Sequence, residues 1–196
     1  METVSTNLKK DAVVSGLIWG VIDIVLLLLV YYVAFSFMGS TWYSVTKMIL
    51  AIALAVFFTR DLRNKAGGFW TFSQALKHIF IMFMVSAILV AVFTFMFGKF
   101  IDPSYPVKMK ELISTSTMEL YENMGMTGDA LDQANTALDE QLEKQYNPTV
   151  SQAIVAFGII GIFYFIGALI FAAIFKRNPP MFIEEEEEEY IAPTTV

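Results

Sequence analysis

No cysteine occurs anywhere in the chain, which excludes disulfides, thiolate zinc sites and iron–sulfur clusters. Histidine occurs once, as His78, so a histidine-rich metal site within one chain is excluded as well. Charge is scarce: 16% of the 196 residues carry it, against about a quarter in a soluble domain. Six of the nineteen acids form the single run Glu184–Glu189, so the net charge of −6 describes a tail rather than the whole surface. No Gly-rich phosphate loop, nucleophile elbow or zinc motif is present. Asn147-Pro148-Thr149 fails as a glycosylation site because proline holds the middle position. No cofactor, metal or nucleic-acid partner is expected, and no enzymatic activity.

What remains is apolar, at 56% hydrophobic residues, and it falls in long blocks. Each is near the length needed to cross about 30 Å of hydrocarbon. The expected fold is an all-α integral membrane protein with four transmembrane helices. Lys9 and Lys10 before an apolar run resemble the start of a signal peptide. The run Val13–Met38 is too long for one, and no small-x-small cleavage site closes it. It is read as an uncleaved first span.

In order, the chain divides into a polar tail at 1–13 and three spans with their connections at 14–101. An excursion follows at 102–150, then the fourth span at 151–177 and an acidic tail at 178–196. The spans are expected at about 14–38, 42–59, 74–97 and 151–175, with Gly39-Ser40-Thr41 as a tight turn. Residues 60–73 read as a charged loop opened by Arg60-Asp61-Leu62-Arg63-Asn64-Lys65. Thr71 and Gln74 then have the spacing of a capping box opening the third span.

The excursion is more than linker. Asp102-Pro103-Ser104-Tyr105-Pro106 is a stiff exit from the third span. Leu112, Ser116, Leu120 and Met124 share one helical side, and Leu131, Ala134, Leu138 and Leu142 another. Gly125 separates the two segments, and Thr127 is placed to cap the second. Two amphipathic helices forming a hairpin are expected. Asp129, Asp132, Asp139, Glu140 and Glu143 lack the glycine and alternating ligands of a calcium loop and read as a solvated face.

Lys9, Lys10, Arg60, Arg63, Lys65, Lys77, Lys176 and Arg177 fall on one side of this topology. Lys47, Lys99, Lys108, Lys110 and Lys144 fall on the other, spread over a longer segment. The positive-inside rule then places both termini in the cytoplasm and the hairpin outside. Glu184–Glu189 is expected to be a disordered, solvated tail. Thr194-Thr195-Val196 matches a minimal C-terminal ligand pattern that three residues meet by chance.

The run Gly67-Gly68-Phe69-Trp70-Thr71-Phe72-Ser73-Gln74-Ala75-Leu76, with the Ile101-Asp102-Pro103 exit, resembles the bacterial membrane proteins grouped as domain of unknown function 4199. These come chiefly from Bacteroidota. Gly125-Met126-Thr127 before the acidic helix Asp129–Glu143 is similar to that family's loop. The resemblance covers roughly residues 8–177 and leaves out the acidic tail. It implies an inner-membrane protein and no particular activity.

Asp23 is the anomaly within the spans. A carboxylate at mid-bilayer costs about 2.5–3.5 kcal/mol on insertion scales and so faces protein or water. Gly16 and Gly20 lie on its helical side, which points it to a packing seam. In a hairpin turning near Ser40, Asp23 is level with Phe57 and Lys47 with Val33. That is a gap of roughly 15 Å, which argues against a pair. Arg60, Lys77 and His78 are nearer in depth, giving an expected intramembrane polar cluster of Asp23, His78, Arg60 and Lys77. Two readings stand: a buried clamp, or a proton or ion relay from Asp23 to His78. Gly158, Gly161, Ala168 and Ala172 form a small-residue stripe on the fourth span, expected as helix packing within the chain or between copies.

The lipid bilayer, further copies of the chain and other membrane subunits are the expected partners. The expected function is a non-enzymatic scaffold or accessory subunit presenting the hairpin. A small oligomeric transporter or channel built on Asp23 is the alternative.

Overall fold

A computed structural model describes residues 2–178, so Glu184–Glu189 and Thr194-Thr195-Val196 lie outside the described residues. Six helices follow one another: α1 Glu2–Val33, α2 Thr41–Lys65, α3 Phe72–Met96, α4 Tyr105–Asn123, α5 Asp129–Tyr146 and α6 Val150–Phe175. Four of them, α1, α2, α3 and α6, are long and apolar enough to cross a membrane. The chain is an all-α, multi-pass membrane protein.

Local chemistry sets most helix ends. Thr71 and Gln74 form the expected capping box, and Thr149 with Gln152 forms a second at the start of α6. The Ser40 hydroxyl accepts from the Tyr43 N–H at 3.1 Å and opens α2. Gly67 and Gly68 adopt φ of 89° and 83°, in the left-handed region that stops α2 after Ala66.

Several boundaries differ from expectation. The polar tail is helical from Glu2, and the first helix stops at Val33 rather than Met38. A tight 3₁₀ turn, Phe35–Gly39, makes the connection. Arg60–Lys65, expected as a loop, is the end of α2. Asp61 and Lys65 pair at 2.8 Å there, and Arg63 and Lys65 favour the carbonyl end of the helix dipole. Thr127 does not cap α5; that role falls to Gly128, without a side-chain bond. Beyond α3 the turn Phe97–Ile101 widens, and the Asp102 N–H reaches the Phe97 carbonyl at 2.8 Å.

Packing gathers in two clusters. In the first, Trp19 stacks on Phe58 at 5.9 Å and meets Phe83 edge-on at 5.5 Å, with Leu62, Ile79, Met82, Ala168 and Ala172 around them. This end of the bundle also carries Trp70, whose N–H and carbonyl pair with the backbone of Arg177. The second cluster centres on Tyr31, whose ring meets those of Tyr32, Phe35, Phe97 and Tyr105. It joins the far end of α1 to the α4–α5 hairpin.

Candidate functional site

The seam between α1 and α3 follows from its glycines. A Cβ on Gly16 would stand 2.5 Å from the Met82 carbonyl oxygen and 2.9 Å from the Val85 Cβ. On Gly20 it would meet Leu89 Cδ2 at 2.8 Å. Gly16 therefore lets the α3 backbone approach more closely than a side chain there would permit, and Gly20 makes room for the Leu89 side chain.

Asp23 lies one turn beyond Gly20, half-buried, with the indole of Trp19 one turn below it. The expected polar cluster does not assemble around it. Among the described residues no hydrogen bond or ion pair joins Asp23 to His78, Arg60 or Lys77. His78 is buried, and its Nδ1 is 2.7 Å from the Gln74 carbonyl of its own helix. The guanidinium of Arg60 lies 6.0 Å over the ring of Phe175, and Lys77 is exposed. The ionisable groups placed to feel its charge are instead Lys47 and Tyr43 of α2 and Tyr164 of α6, and none of them forms an ion pair or hydrogen bond with it among the described residues.

Depth explains the reversal. Residues 34–40 are not α-helical, so the helical register runs from Val33 across to Thr41 rather than through Ser40. Asp23 is ten residues before Val33 and Lys47 six after Thr41, a difference of about 6 Å rather than 15 Å. Lys47 is therefore nearer in depth than expected, although its ammonium lies over the Tyr43 ring and makes no ion pair with Asp23 among the described residues.

The small-residue stripe on α6 divides in two. Ala168 and Ala172 are fully buried, and a Cβ on Gly167 would meet Phe83 at 3.6 Å. Gly158 and Gly161 have nothing within 4 Å of the position a Cβ would take. α6 therefore packs on α3 over its second half, through Phe80–Phe165 and Phe83–Phe171 ring contacts, and diverges over its first.

A polar corner that the sequence reading left as a stiff exit closes the far end. Tyr31 Oη donates to Asp102 Oδ2 at 2.5 Å, and the Ser104 N–H donates to Oδ1 at 3.0 Å. The Ser104 hydroxyl donates to the same oxygen, and Lys108 Nζ stands 3.6 Å from Oδ2. The hydrogen bond from Ser104, then that from Tyr31, holds the Asp102 carboxyl down at about 2. Burial pushes the phenols of Tyr105 and Tyr146 up to about 12, so both stay neutral donors. Lys110 pairs with Glu143 and ties α4 to α5, lowering the Glu143 carboxyl below its usual range.

The folded Asp102 value of about 2 lies below the free value of 3.8, so the corner is fully stabilised above about pH 4. That contribution is lost as pH falls through about 2. Near-ultraviolet circular dichroism of the tyrosine cluster is expected to weaken across that interval. In Asp102→Asn the signal should start lower and stay flat there.

No group of three or more residues fit to hold a metal ion occurs among the described residues, Asp129–Glu143 included. A different feature stands beside Lys47. Where α3 and α6 diverge, beneath the hairpin, an open cleft of about 1370 Å³ lies between them. Nothing in the spacing of its lining residues marks it in the sequence, because its walls come from all six helices.

No curated protein and no solved structure matches the chain. A family model does match, over residues 15–177, and by that match the chain belongs to the family described as "Protein of unknown function (DUF4199)".

Proposed function

We propose that the protein is a non-enzymatic accessory subunit or scaffold of the bacterial inner membrane. In this reading its termini are cytoplasmic and the α4–α5 hairpin is extracytoplasmic. The excess of Lys and Arg at the Trp70 end of the bundle supports that orientation. The observation that carries the function is the divided stripe of α6. Ala168 and Ala172 are closed against neighbouring helices, whereas Gly158 and Gly161 on the same stripe stand open. In a bilayer, exposed apolar side chains contact lipid at no cost, but a glycine notch is shaped for another helix. That helix belongs to a second copy or to the protein this subunit serves.

The test is mild purification into nanodiscs, with particle mass and co-purifying proteins measured together. Wild-type protein is expected as a defined multimer or with a stoichiometric partner. Gly158→Leu with Gly161→Leu should release the partner and leave the unfolding temperature unchanged. An assembly that survives both substitutions overturns the reading.

Asp23 supports a second reading, an oligomeric proton- or ion-coupled transporter, because it is a half-buried carboxylate within a span and Lys47, the nearest cation in depth, lines the open cleft. Asp23→Asn separates the two. An accessory subunit that still accumulates keeps its role, whereas coupled transport is lost.

A further inference from the structure

We infer that the cleft between α3 and α6 is a binding site for a glycerophospholipid, with the phosphate at Lys47 and Lys99 and an acyl chain held between the two helices. This does not depend on the accessory-subunit reading, since neither Gly158 nor Gly161 is among the residues lining the cleft.

Three observations converge. The first is size and wall chemistry. The volume of about 1370 Å³ exceeds the roughly 300–1,000 Å³ of sites for drug-sized ligands. The walls below the hairpin are apolar: Val90 and Ala91 from α3, and Ala153, Ala156, Phe157 and Ile160 from α6.

The second is register. Gly20 packs on Leu89, which sets Leu27 level with Met96 along the parallel pair α1 and α3. Lys47, six residues into α2, is level with Leu27, six residues before the end of α1, and both line the cleft. Lys47 and Lys99 therefore stand within about one turn, or 5 Å, of each other in depth. Gly167 packs on Phe83, so Val90 faces Ile160 and Thr94 faces Ala156. The apolar slot thus runs about 10 Å below the tier of lysines.

The third is charge. Among the described residues neither Lys47 nor Lys99 has a carboxylate partner within ion-pair distance. Lys99 lies over the rings of Phe95 and Phe100 at 5.4 and 5.7 Å, and Lys47 over Tyr43 at 6.0 Å. Lys110, also in the lining, is already paired with Glu143. The acids of the lining, Glu111 and Asp139, are exposed and belong to the hairpin. Cations at the top of an apolar slot, with the acids of its lining only on the water side, match an anionic phosphate above an acyl chain. A soluble anion would satisfy the lysines and leave the slot beneath them uncovered.

The experiment uses the full chain in phosphatidylcholine nanodiscs containing a trace of phosphatidylglycerol with a photoreactive acyl chain. Illumination is expected to label peptides around residues 90–95 and 153–160 above every other lipid-facing segment. In Lys47→Gln with Lys99→Gln, labelling of those two segments should fall about tenfold relative to the rest of the chain. Single Lys99→Gln, at an exposed position, should give a partial loss if the double variant does not fold. Millimolar inorganic phosphate should not compete, whereas an alkyl phosphate should. Even labelling along α6, labelling indifferent to the lysines, competition by free phosphate, or a cross-link from a second copy within the slot would each overturn the assignment.

Discussion

Gly16→Ala is expected to lower stability by about 1–3 kcal/mol, the usual cost of forcing one extra carbon into a packed contact. An alanine ordinarily helps a helix by about 0.8–1.0 kcal/mol relative to glycine, so the steric term has to win for any loss to appear. It wins at Gly16 because the nearest atom, 2.5 Å from the new Cβ, is the Met82 carbonyl oxygen, which moves only if α3 moves. At Gly20 the obstacle is the end of the Leu89 side chain at 2.8 Å, which can rotate, so a smaller loss is expected. At Gly158 nothing stands within 4 Å, and alanine there should be neutral or slightly stabilising. Thermal unfolding of the three variants in one detergent gives the ranking. A Gly16→Ala protein as stable as Gly158→Ala would mean that the seam is looser than its geometry.

Trp70→Ala is expected to have the largest effect of any single substitution outside that seam, about 3–5 kcal/mol. The side chain is 1% exposed, and its indole N–H donates to the Phe175 carbonyl at 2.8 Å. Its backbone holds Arg177 from both sides, at 2.9 and 3.1 Å. Removing the ring opens a cavity and leaves a carbonyl at the end of α6 without its donor. Trp70→Phe keeps most of the volume and should cost about 1–3 kcal/mol, the penalty of one unsatisfied buried acceptor. With total stability of order 5–15 kcal/mol, the alanine variant should also expose the chain near residue 177 to protease well below the unfolding temperature. Equal stability of the two variants would show that volume contributes nothing here.

The four spans were legible because length and apolar content survive any error of a few residues at their ends. The capping box at Thr71 and Gln74 was legible for a different reason, since both partners sit within one turn. The depth of Asp23 was not. It depended on seven residues, 34–40, whose conformation is set by the aromatic cluster around Tyr31 and not by their own composition. Carrying the first span to Met38, with the turn at Gly39-Ser40-Thr41, moved Lys47 away from Asp23 and brought Arg60 too near. The distance to His78 was set elsewhere, by the contact of Gly20 with Leu89, which puts Asp23 level with Val92 and about 21 Å from His78 in depth. The same limit applies to the α6 stripe: its small residues were visible, but not that a neighbour covers Ala168 and leaves Gly158 open. The Asp102 corner joins residues 71 positions apart, and no local pattern announces such a contact.

The Trp70 latch also orders events in time. Its two halves are separated by 105 residues, so at about 5–20 residues per second the ribosome needs about 5–20 s to deliver the second. The residues of α1 and α3 that meet across Gly16 and Gly20 are all made by residue 96. Throughout that interval the indole N–H has no carbonyl to meet. Only a chain elongated and inserted through Arg177 can close the ring of contacts, so the latch acts as the molecule's own report that its final membrane segment has arrived.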